Sequence, residues 1–147
     1  AGHWLKQNGV PDDAAERLLP IAGGNPGLVM DWYSRGGVPL FEAVRKDLAG
    51  LAKNQLGAVE VARNWLQDEQ AAMRLLFAAG IAYRLAGTWT LGGKSAPKPA
   101  LALTRLQDWI DAMNRLRLSL SQPLRHDLGL AGLLHDWHQL LHDFRQD

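Results

Sequence analysis

The chain has 147 residues, of which 47% are hydrophobic, so it can bury the core of an ordinary domain and is not expected to be disordered. It has no cysteine, which excludes disulfides, thiolate metal sites and cysteine nucleophiles and fits a reducing, cytoplasmic compartment. The net charge is only +1, from 16 basic and 15 acidic residues, whereas a dedicated nucleic-acid domain usually has a strong basic excess. No run approaches the roughly 20 apolar residues of a membrane span, so no membrane partner is expected. The first residues lack the basic start and apolar stretch of a signal peptide and open inside a predicted helix, which favours a piece of a longer protein.

Turn-forming residues separate short predicted helices in the first part of the chain. Residues 9–13 combine a turn with a proline and two aspartates, which suit the positive end of a helix dipole, and this helix should run to about Ala22. Residues 23–24 are glycines that end it. Asn25 is a good N-cap and Pro26 a good first residue, so a third helix is expected from there to about Ser34.

From about Val38 onward, apolar residues recur at helical spacing. Residues 71–87 are apolar nearly all round, which is typical of a central, buried helix. Residues 88–99 hold glycines, prolines and lysines and are predicted to form a mobile surface loop. Two more helices follow, and the last has its apolar residues within a stripe of about 120°. No segment alternates with period two, so the predicted fold is all-α: a short helical group followed by a helical bundle.

Gly93-Lys94-Ser95 resembles the end of a phosphate-binding loop, which requires a glycine four residues before the Gly-Lys-Ser. Thr88 stands at that position, and Gly87 lies one residue too early. A phosphate loop also follows a strand and opens a helix, whereas this segment follows a predicted helix. We therefore expect a flexible basic loop and no nucleotide cofactor.

Three histidines near the C-terminus, His135, His138 and His142, fall within about 60° on one helix face. Three imidazoles so placed could hold a divalent ion. However, they are expected to point away from the apolar stripe into solvent, without a closed cavity or orienting partners. They are weak candidates, and no metal is predicted.

No catalytic group is predicted either. The few serines lie in no Gly-x-Ser-x-Gly elbow, so a nucleophile cannot be paired with a base. Carboxylate pairs at residues 12–13 and 68–69 lie at apparent helix starts, where the helix dipole explains them. The sequence thus predicts neither an enzyme nor a small-molecule substrate.

Arg105, Arg115, Arg117 and Arg125 lie around the last two helices, together with Trp109. Arginines beside an aromatic ring could contact nucleic acid or a protein partner. A helical nucleic-acid-binding domain that uses these four arginines is the alternative hypothesis. The other interpretation is a solvated helix flank, because acidic residues balance the arginines: Asp108, Asp111 and Asp127.

Two segments resemble a known family. Residues 18–28 read LLPIAGGNPGL and are preceded by Trp4-Leu5 and a turn at residues 9–10. The second segment reads NRLR at residues 114–117 and LSQPL at residues 120–124. Both resemble the C-terminal half of the delta-prime subunits of the bacterial DNA polymerase III clamp loader. The resemblance covers most of the chain, and AGGNPG is its specific part.

The resemblance implies two domains. Residues 1–36 would be the C-terminal part of an AAA+ lid domain, and residues 37–147 a helical collar domain. Collar domains of five subunits form a ring, and the complex uses ATP bound by other subunits to load the sliding clamp onto primed DNA. The implied partners are the other clamp-loader subunits, and the clamp and DNA are reached only through the assembled complex. Which residues form the subunit interfaces is not implied.

The resemblance also gives a meaning to Gly24, Asn25, Pro26 and Gly27. In active AAA+ relatives the corresponding helix start carries a Gly-x-x-Arg pattern, whose arginine senses the γ-phosphate. Gly27 stands where that arginine would be, and glycine cannot bind phosphate through a charge. The resemblance therefore implies a subunit that does not hydrolyse ATP.

Overall fold

The computed structural model describes residues 2–91 and 98–144. Within these ranges the chain forms eight helices and no strand, so the predicted all-α class is confirmed. The helices are α1 Gly2–Gln7, α2 Asp12–Leu18, α3 Pro26–Ser34, α4 Gly37–Ala52, α5 Ala58–Gln67, α6 Ala71–Leu91, α7 Ala100–Leu118 and α8 His126–Phe144.

The chain divides into two compact units, and the division lies inside α4. The first unit ends at Ala43 and the second begins at Val44. The boundary implied by the resemblance falls a little earlier, immediately before Gly37, the first residue of the same helix. Each unit encloses fully buried apolar side chains, so each has a core of its own.

The first unit is held together by α1, α2 and α3, which pack on one another in all three pairs. Each helix contributes a fully buried side chain, namely Leu5, Leu18 and Val29. At the start of α3, the Asn25 side-chain oxygen accepts a hydrogen bond from the backbone N–H of Gly27 at 3.0 Å. The predicted N-cap of α3 is therefore confirmed, and it satisfies an N–H that the helix itself leaves unpaired.

Helix α2 ends at Leu18, earlier than the predicted end near Ala22. The reason is Pro20, which has no N–H to donate to the helix, although Leu19 before it keeps helical φ and ψ angles of −60° and −43°. The chain continues in turns, in which the Ala22 N–H still donates to the Leu18 carbonyl at 2.9 Å. Gly23 and Gly24 then turn it with φ angles of 64° and 80°, which favour glycine.

Two glycines also lie at the junction of α3 and α4. Gly36 has a φ of 76°. A Cβ atom on Gly37 would lie 2.6 Å from the carbonyl oxygen of Trp32, which is too close for any side chain. The close approach of these two backbone segments therefore requires glycine at the first position of α4.

The second unit contains a four-helix bundle. Helix α5 packs on α6, α6 on α7, α7 on α8 and α8 on α5, so the four helices close into a ring. Its interior is filled by fully buried side chains that include Phe77, Leu106 and Leu134. The second half of α4 is joined to the bundle because the Trp137 indole N–H donates to the Leu48 carbonyl at 2.9 Å.

Helix α6 runs to Leu91, beyond the end expected near residue 87. The hydroxyls of Thr88 and Thr90 donate to helix carbonyls at 2.8 Å, and the intervening Trp89 is buried. Burial of this indole favours continued helix where local composition predicted a loop. The loop prediction is wrong for residues 88–91, and residues 92–97, with the Gly93-Lys94-Ser95 motif, lie outside the described residues.

Candidate functional site

Helices α7 and α8 form a hairpin, because residues 119–125 turn the chain back on itself. The Trp109 indole N–H on α7 donates to the Leu133 carbonyl on α8 at 2.6 Å. The ring of Trp109 also lies against that of Trp137, with centroids 4.8 Å apart. Leaving a buried indole N–H without an acceptor costs free energy, so this hydrogen bond favours the observed register of the two helices.

A groove of about 580 Å³ lies between α7 and α8. Its floor is apolar and consists of Trp109, Ala112, Leu133 and Leu140. Its sides are charged and consist of Arg105, Asp108, Asp111, Arg115 and Asp136. We refer to it as the α7–α8 groove.

The charges follow an order along the groove. At one end the Arg105 guanidinium forms an ion pair with Asp143 at 2.9 Å and lies over the ring of Phe144. At the other end stands Arg115, ten residues further along α7, which corresponds to about 15 Å of helix. Asp108 and Asp111 lie between them in sequence on α7, and Asp136 lies on the α8 side.

Several of these charges have no partner. Asp111 accepts a hydrogen bond from the Gln107 amide at 2.9 Å, and Arg105 is neutralised by Asp143. Across residues 2–91 and 98–144, no hydrogen bond or ion pair is made by the side chains of Asp108, Asp136 and Arg115. With respect to the described part of the chain, the groove therefore offers two unpaired carboxylates and one unpaired guanidinium.

The structure does not gather the four predicted arginines into one patch. Only Arg105 and Arg115 line the groove. Arg117 is half-buried, and its Nε lacks a hydrogen-bond partner in the described part of the chain. Arg125 is exposed and binds Asp127 through two hydrogen bonds of 3.1 Å, and these bonds lower the pKa of the Asp127 carboxyl. Nucleic-acid phosphates would therefore not meet a continuous basic surface.

The three histidines near the C-terminus also differ in their surroundings. His135 and His142 are exposed, as predicted, but the expectation that all three point into solvent is wrong for His138. Its ring is half-buried, with Nδ1 2.9 Å from the Leu51 carbonyl near the end of α4, where helix carbonyls lack N–H donors within the helix. Among the residues that the structure describes, no group of three His, Cys, Asp or Glu side chains could hold a metal ion.

The residues of the degenerate sensor-type motif have local structural roles. Gly24 takes a positive φ, Asn25 caps α3 and Pro26 is its first residue. A Cβ on Gly27 would lie 3.3 Å from the Asn25 side-chain oxygen, so the glycine leaves room for the cap. Whether Gly27 also replaces a nucleotide-sensing arginine remains an implication of the resemblance.

Three leucines are exposed at the end of the α7–α8 hairpin. Leu118, Leu124 and Leu128 are 70%, 60% and 63% exposed. We refer to them as the leucine tip. The sequence patterns did not single them out, because isolated leucines outside a helical stripe carry no periodic signal.

The groove was also missed, although a signal for it exists. Positions 105, 108, 112 and 115 recur at three- and four-residue spacing, and so do 133, 136 and 140. Each set marks one face of its helix beside the core stripe. The two faces become one groove only through the Trp109–Leu133 hydrogen bond, which the sequence does not reveal.

No helix in the described ranges combines the length and apolar character needed to cross a membrane. The chain was compared with protein-family models, with curated proteins and with solved structures, and none of them matches. The features that bear on function are therefore the groove, the leucine tip and the resemblance of residues 18–28, 114–117 and 120–124.

Proposed function

We propose that this chain is a non-catalytic assembly module: a collar-type helical domain, with part of an AAA+ lid, from a delta-prime subunit of a bacterial clamp loader. Its task would be to hold the geometry of a hetero-pentamer while other subunits bind and hydrolyse ATP. The complex would act in DNA replication in the cytoplasm, loading the sliding clamp onto primed DNA.

The leucine tip is the observation that carries the assembly role. Three leucines that are each at least 60% exposed lie within eleven residues of chain at one end of the bundle. Exposed apolar side chains concentrated in one region favour a protein interface, since burying each leucine is worth about 1.5–3 kcal/mol. The all-helical fold and the AGGNPG segment at the start of α3 also support the proposal.

The chemistry of the α7–α8 groove supports a non-catalytic role. Among the described residues, no serine, threonine, cysteine or histidine lines it, so it offers no hydroxyl or thiol nucleophile beside an imidazole base. Its carboxylates stand among arginines on an open surface, where general acid–base catalysis has no water-excluded site.

The test is assembly with the other clamp-loader subunits of the same source. The chain is mixed with the purified subunits and with limiting full-length delta-prime, and complexes are separated by gel filtration. We expect the chain to enter the complex or to compete with full-length delta-prime for it. If it does neither at concentrations well above those needed for full-length protein, the proposed function is wrong.

A triple variant at the leucine tip, Leu118→Ser, Leu124→Ser and Leu128→Ser, should weaken competition at least tenfold, because the interface loses three apolar side chains. The matched control is Val59→Ser, Tyr83→Ser and Leu101→Ser, which removes three side chains of similar exposure elsewhere. Equal competition by the two variants would show that the tip is not the interface.

A further inference from the structure

We propose that the α7–α8 groove binds a helix of a partner protein that carries lysine or arginine side chains on both flanks of a stripe of small residues. This inference deepens the proposed assembly role and rests on it. It specifies the chemistry of the partner that the groove would accept.

The shape of the groove favours a helix. The groove lies between two antiparallel helices, and its lining on α7, from Arg105 to Arg115, extends about 15 Å, the length of some three helical turns. Trp109 and Leu140 are nearly fully buried, and Ala112 and Leu133 are half-buried, so the floor is narrow. Because the distance between packed helices depends on the side chains at the contact, a partner helix can approach this narrow floor closely only with small residues there.

The charges of the groove favour basic flanks. Three aspartates and two arginines line it, and Asp143 already neutralises Arg105, so three carboxylates outnumber the one remaining guanidinium, that of Arg115. Asp108 and Asp136, which come from different helices, have no partner among the described residues. A partner with one basic flank facing α7 and another facing α8 would pair both carboxylates, and such complementarity sets specificity and association rate.

The same charges disfavour other ligands. Asp108, Asp111 and Asp136 are not close enough together to hold a metal ion, since no such group occurs in the described ranges. They would repel the phosphates of nucleic acid. The carboxylates spread along the groove instead match a ligand whose positive charges are also spread out.

The test uses two synthetic helical peptides of about 20 residues, which is long enough for an alanine-rich helix to form. Both carry an alanine stripe, flanked by lysines in one peptide and by glutamates in the other. Binding to the full chain is measured by titration calorimetry at low and high salt. We expect the lysine peptide to bind, with affinity that falls as salt rises, and the glutamate peptide not to bind.

Variants of the chain locate the site. Asp108→Asn with Asp136→Asn should weaken binding of the lysine peptide about tenfold. Asp108→Lys with Asp136→Lys should make the glutamate peptide the better ligand. The matched control is Glu60→Gln with Glu69→Gln, which changes the net charge equally at two exposed positions outside the groove. Circular dichroism checks that each variant is folded.

The outcomes separate this inference from the proposed function. Equal binding of the lysine peptide by wild type and by the Asp108→Asn, Asp136→Asn variant overturns the groove inference, even if the chain assembles with clamp-loader subunits. Equal binding of both peptides, or self-association of the chain through the groove, also overturns it. Binding that depends on Asp108 and Asp136 supports the inference even if the chain fails to join a clamp loader, and only the proposed function is then wrong.

Discussion

An ion pair between Asp68, just after α5, and Arg74, in the first turn of α6, links the two helices. The Asp68 carboxylate accepts a hydrogen bond from the Arg74 guanidinium at 2.7 Å, and both side chains are partly buried. This hydrogen bond is the main reason that the pKa of Asp68 lies below its ordinary value, and the positive charge of Arg74 adds to it, while burial opposes it. From the sequence, the helix dipole alone was expected to explain this carboxylate. Its ion pair with Arg74, six residues later, depends on the turn between α5 and α6, which the sequence pattern does not specify.

The lowered pKa of Asp68 predicts a pH dependence of stability. A carboxyl with a lower pKa in the folded state contributes stability above its unfolded pKa, near 3.8, and loses it as the pH falls through the folded value. Asp68→Asn should therefore lower the free energy of unfolding at neutral pH and reduce its further loss below pH of about 4. Urea unfolding at a series of pH values measures both effects.

The control for this measurement is Asp108→Asn, which removes a carboxylate that has no partner among the described residues. Its unfolding free energy should follow the wild-type pH profile. If both variants give the same profile, the ion pair between Asp68 and Arg74 contributes nothing measurable to stability.

Helix α3 depends on its N-cap. Asn25→Ala removes the acceptor for the N–H groups of Gly27 and Leu28 and should lower the stability of the first unit by about 1 kcal/mol. Hydrogen exchange of the α3 amides measures the change. Asn64→Ala on the exposed side of α5 is the control, and it should be neutral or slightly stabilising because alanine favours helix. Equal protection of the α3 amides in wild type and Asn25→Ala would contradict the capping role.

The elements differ in how far local sequence could predict them. The start of α3 was predicted correctly because Asn25 and Pro26 act within one turn. The end of α6 was not, because burial of Trp89 depends on contacts that are distant in sequence. Helix α6 was also expected to be buried all round, yet Tyr83 is 67% exposed, since a helix in a ring of four keeps one face outside.

At the scale of the whole molecule, the distribution of charge over the surface matters more for DNA binding than the net charge does. The net charge of +1 could hide a strong basic patch. Instead, Arg105 and Arg125 are paired with Asp143 and Asp127, and the groove that holds Arg115 contains more aspartates than arginines. Counting charges in the sequence could not reveal this distribution. The ion pair between Arg105 and Asp143 forms because α7 and α8 fold back on each other in the hairpin.

This distribution predicts that the chain alone binds DNA weakly. Each phosphate contact made by a protein steepens the fall of log affinity with log salt by about 0.9, so four cooperating arginines would give a slope near −4. We expect no such slope when primed DNA binding is followed by fluorescence anisotropy between about 50 and 200 mM salt. Replacing Arg105, Arg115, Arg117 and Arg125 by alanine should change the affinity little more than replacing four basic residues elsewhere, such as Lys6, Arg35, Lys53 and Arg63. A steep slope that only the first variant abolishes would instead establish the nucleic-acid-binding hypothesis, because the four arginines would then act as one surface despite their separation in the structure.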